Sequence, residues 1–273
     1  MSDGPASRVV VITGASSGIG RACAREFSRC GDFVILVARR EHELTETLAQ
    51  CKGHGRIFVC DLAHRDQIAS LAQSIERNEG RCDVLVNNAG VGSRRAFDGP
   101  ESLATVDELM AVNFQGAVDC TGYLLPLLRR SHRAAIVSVA SVAGFVGFPG
   151  APTYCASKFA LRGFFESLHY QLRTDGIHVS TVCPGPVPTE GWPHERLARS
   201  PLRRLLVARP EQVARRVEQS SRGGRAVRML PRLYGVLVWI TSVIPPLRGG
   251  ALRLLAGRPR DTIPADRARE RSE

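Results

Sequence analysis

At 273 residues the chain can fold as one large domain with a well-buried core. Its 44% hydrophobic and 23% charged residues are the balance of a soluble globular protein and exclude a disordered or fibrous one. The net charge of +11 sits in one part only: residues 191–273 hold 18 arginines, no lysine and 7 acidic residues, against 19 basic and 19 acidic residues in 1–190.

Met1 to Ser7 is short and polar, unlike a signal peptide, and Arg8–Thr13 reads as a strand. Ile19–Cys30 follows as a helix, Phe33–Ala38 as a strand and Glu41–Gln50 as a polar helix. Ile57–Cys60 is a strand, His64–Arg77 a helix and Val84–Val86 a short strand. One long helix is expected over Val106–Arg129. Ala134–Ala140 is a strand, Thr153–Thr174 a helix and Ile177–Cys183 a strand. Beyond these come a helix around Pro210–Gln219 and a last strand around Ala226–Leu230. The alternation of strand and helix predicts an α/β fold, a doubly wound parallel sheet with helices on both faces. Apolar strands such as VVVIT and FVILVA fit a sheet buried on both sides. Ligands of such sheets bind beyond the C-terminal strand ends, so chemistry is expected just after strands.

The eight cysteines form no Cys-x-x-Cys pair and no metal-ligand spacing with histidine. Free thiols, a cytoplasmic setting and no metal are therefore expected.

After the first strand comes Thr13-Gly14-Ala15-Ser16-Ser17-Gly18-Ile19-Gly20. Its glycines permit a tight turn and close backbone approach, and the next helix offers its positive end to a pyrophosphate. At the end of the second strand stand Arg39 and Arg40, with no carboxylate before Glu41. NAD usually calls for an acidic residue near this point, whereas an arginine fork suits the 2′-phosphate of NADP. The blander reading is that the pair only begins a surface helix. Tyr154 and Lys158 lie four residues apart on one helix face. A free tyrosine is a poor base at neutral pH, and an adjacent ammonium stabilises its phenolate. Lys158 is one of two lysines in the chain, Lys52 being the other, beside 35 arginines.

The spacing Gly-x3-Gly-x-Gly resembles the glycine motif of the short-chain dehydrogenase/reductase family. Asn87-Asn88-Ala89-Gly90, Tyr154-Cys155-Ala156-Ser157-Lys158 and Pro184-Gly185-Pro186-Val187-Pro188-Thr189 resemble its NNAG, YxASK and PGxVxT signatures. The resemblance covers residues 8–189. It implies a Rossmann fold and an oxidoreductase that moves hydride between a nicotinamide cofactor and a carbonyl/alcohol pair. By that resemblance Asn113, Ser141, Tyr154 and Lys158 are catalytic. Ser141, thirteen residues before Tyr154, is the serine that bonds the substrate oxygen; Ser138, inside the strand, is its structural competitor. Asn113 is the family's helix asparagine, which implies a kink holding a water. The turn from Gly14 through Ser16, Ser17, Gly18, Ile19 and Gly20 would hold the pyrophosphate. Asp61 would accept from the adenine amino group, Asn88 and Ala89 would line the adenosine ribose, and the Val187 backbone and Thr189 hydroxyl would hold the nicotinamide carboxamide, with Gly90, Tyr154, Lys158, Pro184 and Gly185 also at the cofactor. NADP(H) is the expected cofactor, with NAD(H) second. The resemblance also implies a homodimer or homotetramer through the Asn113 and Tyr154 helices.

The expected organisation is a single dinucleotide-binding and catalytic domain over 1–230, an apolar, arginine-flanked helical segment over 231–258, and a disordered tail over 259–273. Leu233–Ile244 is uncharged and too short to span a bilayer, which needs roughly 20 residues. A helix apolar all round is usually buried. Two readings stay open: a helix packed over the substrate cleft or an oligomer contact, and an interfacial anchor, with Arg225, Arg228 and Arg232 before it and Arg248 and Arg253 after it, in peripheral contact with an anionic membrane. Both favour a bulky apolar carbonyl or alcohol substrate. The arginines lack aromatic interleaving or a recognisable nucleic-acid module, so no nucleic-acid partner is expected. The alternative to an enzyme is a catalytically silent nucleotide-binding regulatory or scaffolding protein of the same fold, against which the complete Asn113, Ser141, Tyr154 and Lys158 set argues.

Overall fold

The structure is a computed structural model that describes residues 7–52, 54–92, 97–189 and 206–243. Seven strands form one sheet: β1 (Val9–Thr13), β2 (Phe33–Ala38), β3 (Gly55–Val59), β4 (Val84–Asn87), β5 (Ala135–Val139), β6 (His178–Pro184) and β7 (Val227–Leu230). Their order is β3-β2-β1-β4-β5-β6-β7, and every neighbouring pair is parallel. The chain reverses its direction of travel across the sheet between β1 and β4. That switch point opens a crevice beyond the strand ends.

The helices are α1 (Gly18–Arg29), α2 (Glu41–Gln50), α3 (Arg65–Asn78), α4 (Leu103–Met110), α5 (Gly116–Leu128), α6 (Pro152–Leu172), α7 (Pro210–Ser221) and α8 (Leu233–Val243). Successive strand residues point to opposite faces, so both faces of this sheet must be covered. Val9 and Val11 pack with Ile68 and Leu71 of α3, Leu124 of α5 and Phe165 of α6. Val10 and Ile12 pack with Phe27 of α1, Leu44 of α2 and Val217 of α7 on the other side. The doubly wound α/β fold read from the sequence is the fold observed.

The helix expected over Val106–Arg129 is interrupted. α4 and α5 are joined by a π turn, Ala111–Gln115, which carries Asn113. A π turn inserts one extra residue and re-aims the side chains around it. All eight cysteines are free thiols, and only Cys30 is partly exposed. Ile244, Arg248, Arg253 and the tail 259–273 lie outside the described residues. Among the described residues no helix is long and apolar enough to cross a membrane.

Candidate active site

β1 delivers the chain into the glycine turn with Thr13 as its last residue. Gly14 and Gly18 adopt left-handed backbone, with φ of +66° and +51°. At Gly20 a Cβ would collide with the Gly14 carbonyl oxygen, so only hydrogen fits where the turn closes on α1. Ser17 caps α1 in extended conformation, its side chain makes no capping bond, and the first turn holds no acidic residue. The helix thus keeps its amide donors and positive end for an anion. A pyrophosphate fits this cradle.

Thr13 ties the turn to β4. Its Oγ1 donates to Val86 O at 3.2 Å and accepts from the Asn88 and Ala89 amides at 3.0 and 3.1 Å. Asn88 returns the contact, Nδ2 donating to Thr13 O at 2.9 Å and Gly14 O at 3.3 Å. The amide nitrogen of Asn88 therefore braces the turn. On the other side of the crevice Thr189 lies against Gly18: a Cβ there would stand 3.0 Å from Thr189 Cγ2.

Arg40 donates from Nη2 to Ser16 Oγ at 3.1 Å and pairs through Nη1 with Glu43 at 3.0 Å. Arg39 is exposed and stands 3.9 Å from Asp61 Oδ2. Asp61 Oδ1 accepts from the Ala63 amide at 3.0 Å. Both guanidiniums thus lie at the end of β2, beside the turn and Asp61.

Ser141 leaves β5 in extended conformation and caps a short 3-10 turn, Oγ accepting from the Ala143 amide at 3.1 Å. Gly144, in that turn, packs so closely on α6 that a Cβ would stand 2.7 Å from Lys158 O. The close approach joins Ser141 to Tyr154. Burial raises the Tyr154 phenol above its ordinary value, and a hydrogen bond from the Ser141 side chain acts the other way. Ser138 is fully buried inside β5, with its hydroxyl unpartnered, and Asn87 and Thr181 are its neighbours across the sheet.

Lys158 is buried beneath Tyr154, its Nζ 5.9 Å from the centre of the tyrosine ring and 3.2 Å from Val139 O. Burial lowers its pKa to about 8. Asn113 is fully buried in the π turn. Its Nδ2 donates to Ser157 Oγ at 3.0 Å and to Val91 O at 3.0 Å, and Oδ1 accepts from Val91 N at 2.7 Å. A Cβ on Gly90 would stand 3.1 Å from Asn113 Oδ1 and 3.4 Å from Lys158 Nζ. Asn113, Ser141, Tyr154 and Lys158 are thus gathered at the C-terminal ends of β4 and β5, across the crevice from the glycine turn.

The short chain dehydrogenase family model matches residues 8–199. This chain belongs to the short-chain dehydrogenase family. The human dehydrogenase/reductase SDR family member 7 is 38% identical over 187 residues, which is 66% of this chain and 55% of that protein. The chain therefore aligns with little more than half the length of that relative. The 11-beta-hydroxysteroid dehydrogenase A of Sesamum indicum is 32% identical over 93% of this chain and 77% of its own. Among solved structures, the Pseudomonas aeruginosa RhlG/NADP active-site complex superposes with a TM-score of 0.74 at 26% identity, over 83% of this chain and 95% of that one.

The short-chain dehydrogenase loop after β6 is tied down from two sides. Gly185 N donates to Leu230 O at 2.7 Å, and Pro186 O accepts from the Ala208 amide at 3.0 Å. Val187 is buried in the core below it. Tyr234 of α8 lies against Gly185, leaving no room for a Cβ, and its hydroxyl donates to Leu206 O at 3.3 Å. Thr13, Ser157 and Tyr234 are supporting residues that sequence reasoning missed. The only signals were position: Thr13 stands where strand meets turn and Ser157 inside the YxASK word, and neither position discloses the partner. Tyr234 gave no signal beyond its apolar neighbours. Among the described residues no cluster of three or more His, Cys, Asp or Glu could hold a metal ion.

Proposed function

We propose that the protein is an NADP(H)-dependent oxidoreductase that interconverts a carbonyl and a secondary alcohol on a bulky apolar substrate. The observation that carries the chemistry is the convergence of Ser141 and Tyr154 over the buried Lys158. When bound, the nicotinamide would supply or accept the hydride. Ser141 and Tyr154 then orient the substrate oxygen with their hydroxyls. The raised pKa of Tyr154 keeps its proton in place at neutral pH, which suits a donor to a forming alkoxide. The Lys158 ammonium beneath the ring stabilises the phenolate left behind. Asn113 fixes the π turn against Val91 and Ser157, holding the floor of the site still. In oxidation the proton moves in the opposite sense.

Arg39 and Arg40 at the end of β2 support the phosphorylated cofactor, as does the NADP-bound neighbour. Those arginines, with Ser16, would take the 2′-phosphate, and Asp61 the adenine amino group. The Val187 backbone and Thr189 hydroxyl, in the loop begun by Pro184 and Gly185, would take the carboxamide. The apolar substrate class is supported by a relative named for hydroxysteroids and by the apolar α8 beside Gly185. The segment 190–205 lies outside the described residues. Assembly as a homodimer or homotetramer through α5 and α6 is supported by Tyr123 and Tyr170, both exposed on those helices. The eight free thiols support a reducing, cytoplasmic setting.

The test is consumption of NADPH and NADH against short, cyclic and long-chain apolar ketones, with Tyr154→Phe as the control. Tyrosine-dependent NADPH loss with the bulky members is expected. Turnover surviving in Tyr154→Phe overturns the catalytic assignment. Silence across the panel with NADPH still bound favours the regulatory alternative.

A further inference from the structure

We infer that β7, α8 and the arginines around them form a docking surface for an anionic phospholipid bilayer. Turning 100° per residue, α8 sets Leu233, Val236, Trp239 and Val243 on one side. All four are exposed, Trp239 by 66% and Val236 by 53%. Tyr234, on the opposite side, is buried and packs against Gly185 of the domain. A helix anchored by one face and apolar on the other calls for a second apolar phase. Its eleven residues, about 16 Å of helix, are too short to cross a bilayer and suit lying in its interface. Tryptophan is the residue most at home at that depth.

The charge beside this face selects the kind of lipid. Arg216 of α7, Arg225, Arg228 of β7 and Arg232 line the outer flank of the sheet, and Arg232 directly precedes α8. Arg228 feels the other three: after burial, their charges are what lower its pKa. Among the described residues none of the four makes an ion pair, and the buried Nε of Arg228 has no partner at all. Arg228 otherwise donates only to Gly223 O, at 2.9 Å. β7 pairs with β6 alone, so this edge of the sheet is free among the described residues. A second copy on this surface would set four unpaired cations against four more, which opposes self-association. A nucleic acid would satisfy the arginines but leave the four apolar side chains in water. A bilayer rich in acidic headgroups satisfies both.

The test is flotation of the full chain with vesicles of phosphatidylcholine alone and of phosphatidylcholine with about one-third phosphatidylserine. Binding to the serine-containing vesicles is expected, weakening at least tenfold when salt rises from about 0.1 to about 0.5 M. Val236→Glu and Trp239→Glu should each lower partitioning by about tenfold or more, because a charge replaces the inserting group. Arg225→Gln and Arg232→Gln should each lower it by about fivefold. Circular dichroism and the melting temperature establish that each variant is folded, so the result is independent of turnover. No binding to acidic vesicles, equal binding to both vesicle types, or equal binding by the folded glutamate variants overturns the proposal. So does a dimer that Trp239→Glu dissolves without any vesicle binding, which assigns the face to a second copy. DNA retention that persists in Trp239→Glu, without vesicle binding, assigns the arginines to nucleic acid.

Discussion

Asn113 holds Val91 by both of its backbone groups, accepting from its amide at 2.7 Å and donating to its carbonyl at 3.0 Å. One buried side chain thereby replaces a strand partner for the segment that follows β4, next to Gly90. Asn113→Ala would leave the part-buried amide and carbonyl of Val91 and the buried Ser157 hydroxyl without this partner. A fully buried group left unsatisfied costs about 1–3 kcal/mol, a part-buried one less, and Ser157 keeps its bond to Tyr154 O. We expect a loss of about 1–3 kcal/mol in urea denaturation. Stability within about 0.5 kcal/mol of wild type would count against this clamp.

Lys158 is expected to destabilise the fold that needs it. Its pKa falls from 10.5 unfolded to about 8 folded. Below pH 8 both states are protonated, and burying the charge costs about 3 kcal/mol. Between about 8 and 10.5 the folded state has released the proton and the unfolded state still holds it, so stability rises with pH. Lys158→Met should therefore melt higher than wild type at pH 7, with the difference closing above pH 10, while turnover is lost. A lower melting temperature at pH 7 would show that the bond to Val139 O outweighs the burial.

The same titration sets an expected pH profile. Loss of the Lys158 ammonium removes the charge that stabilises the Tyr154 phenolate. In the reductive direction kcat/KM for NADPH, which reports the free enzyme, should fall as pH rises through about 8. A profile flat to pH 10 would contradict this role.

Cofactor choice is expected to rest on the end of β2. A charge-assisted bond to phosphate contributes about 1.5–3 kcal/mol. Arg39→Ala should raise KM for NADPH at least tenfold and leave KM for NADH within about twofold. Arg40→Ala should do less damage to NADPH selection, since Arg40 also serves Ser16 and Glu43. Equal losses with both cofactors would assign the pair to structure alone.

Gly20→Ala should abolish cofactor binding, because its methyl group meets the Gly14 carbonyl and backbone must move. Gly31→Ala meets nothing within 4 Å and differs chiefly through its positive φ of 86°. Calorimetric titration of NADPH into both variants separates local collapse of the turn from general destabilisation.

The strands, the glycine turn and the Ser141–Tyr154–Lys158 set were legible because each is local: a period, a spacing or a short word in the chain. The π turn was not. Val106–Arg129 has helical periodicity throughout, and a single inserted residue around Asn113 barely disturbs it. Thr13 and Ser157 were missed for another reason: a short hydroxyl acquires its partners only when β4 or Asn113 is folded against it. The direction of α8 was likewise hidden. Leu233–Ile244 is apolar on every side, so no pattern marks Tyr234 as the inward residue, and only its fit against Gly185 does.

The two lysines give the protein an uncommon chemical handle. Lys158 is buried, whereas Lys52 is exposed at the end of α2, with φ of +54°. Amine-reactive dyes or resins should therefore attach, among the side chains, at Lys52 and spare the reaction centre. The arginines that carry the rest of the positive charge are inert to such reagents, so attachment through a side chain can be confined to one known point of the fold.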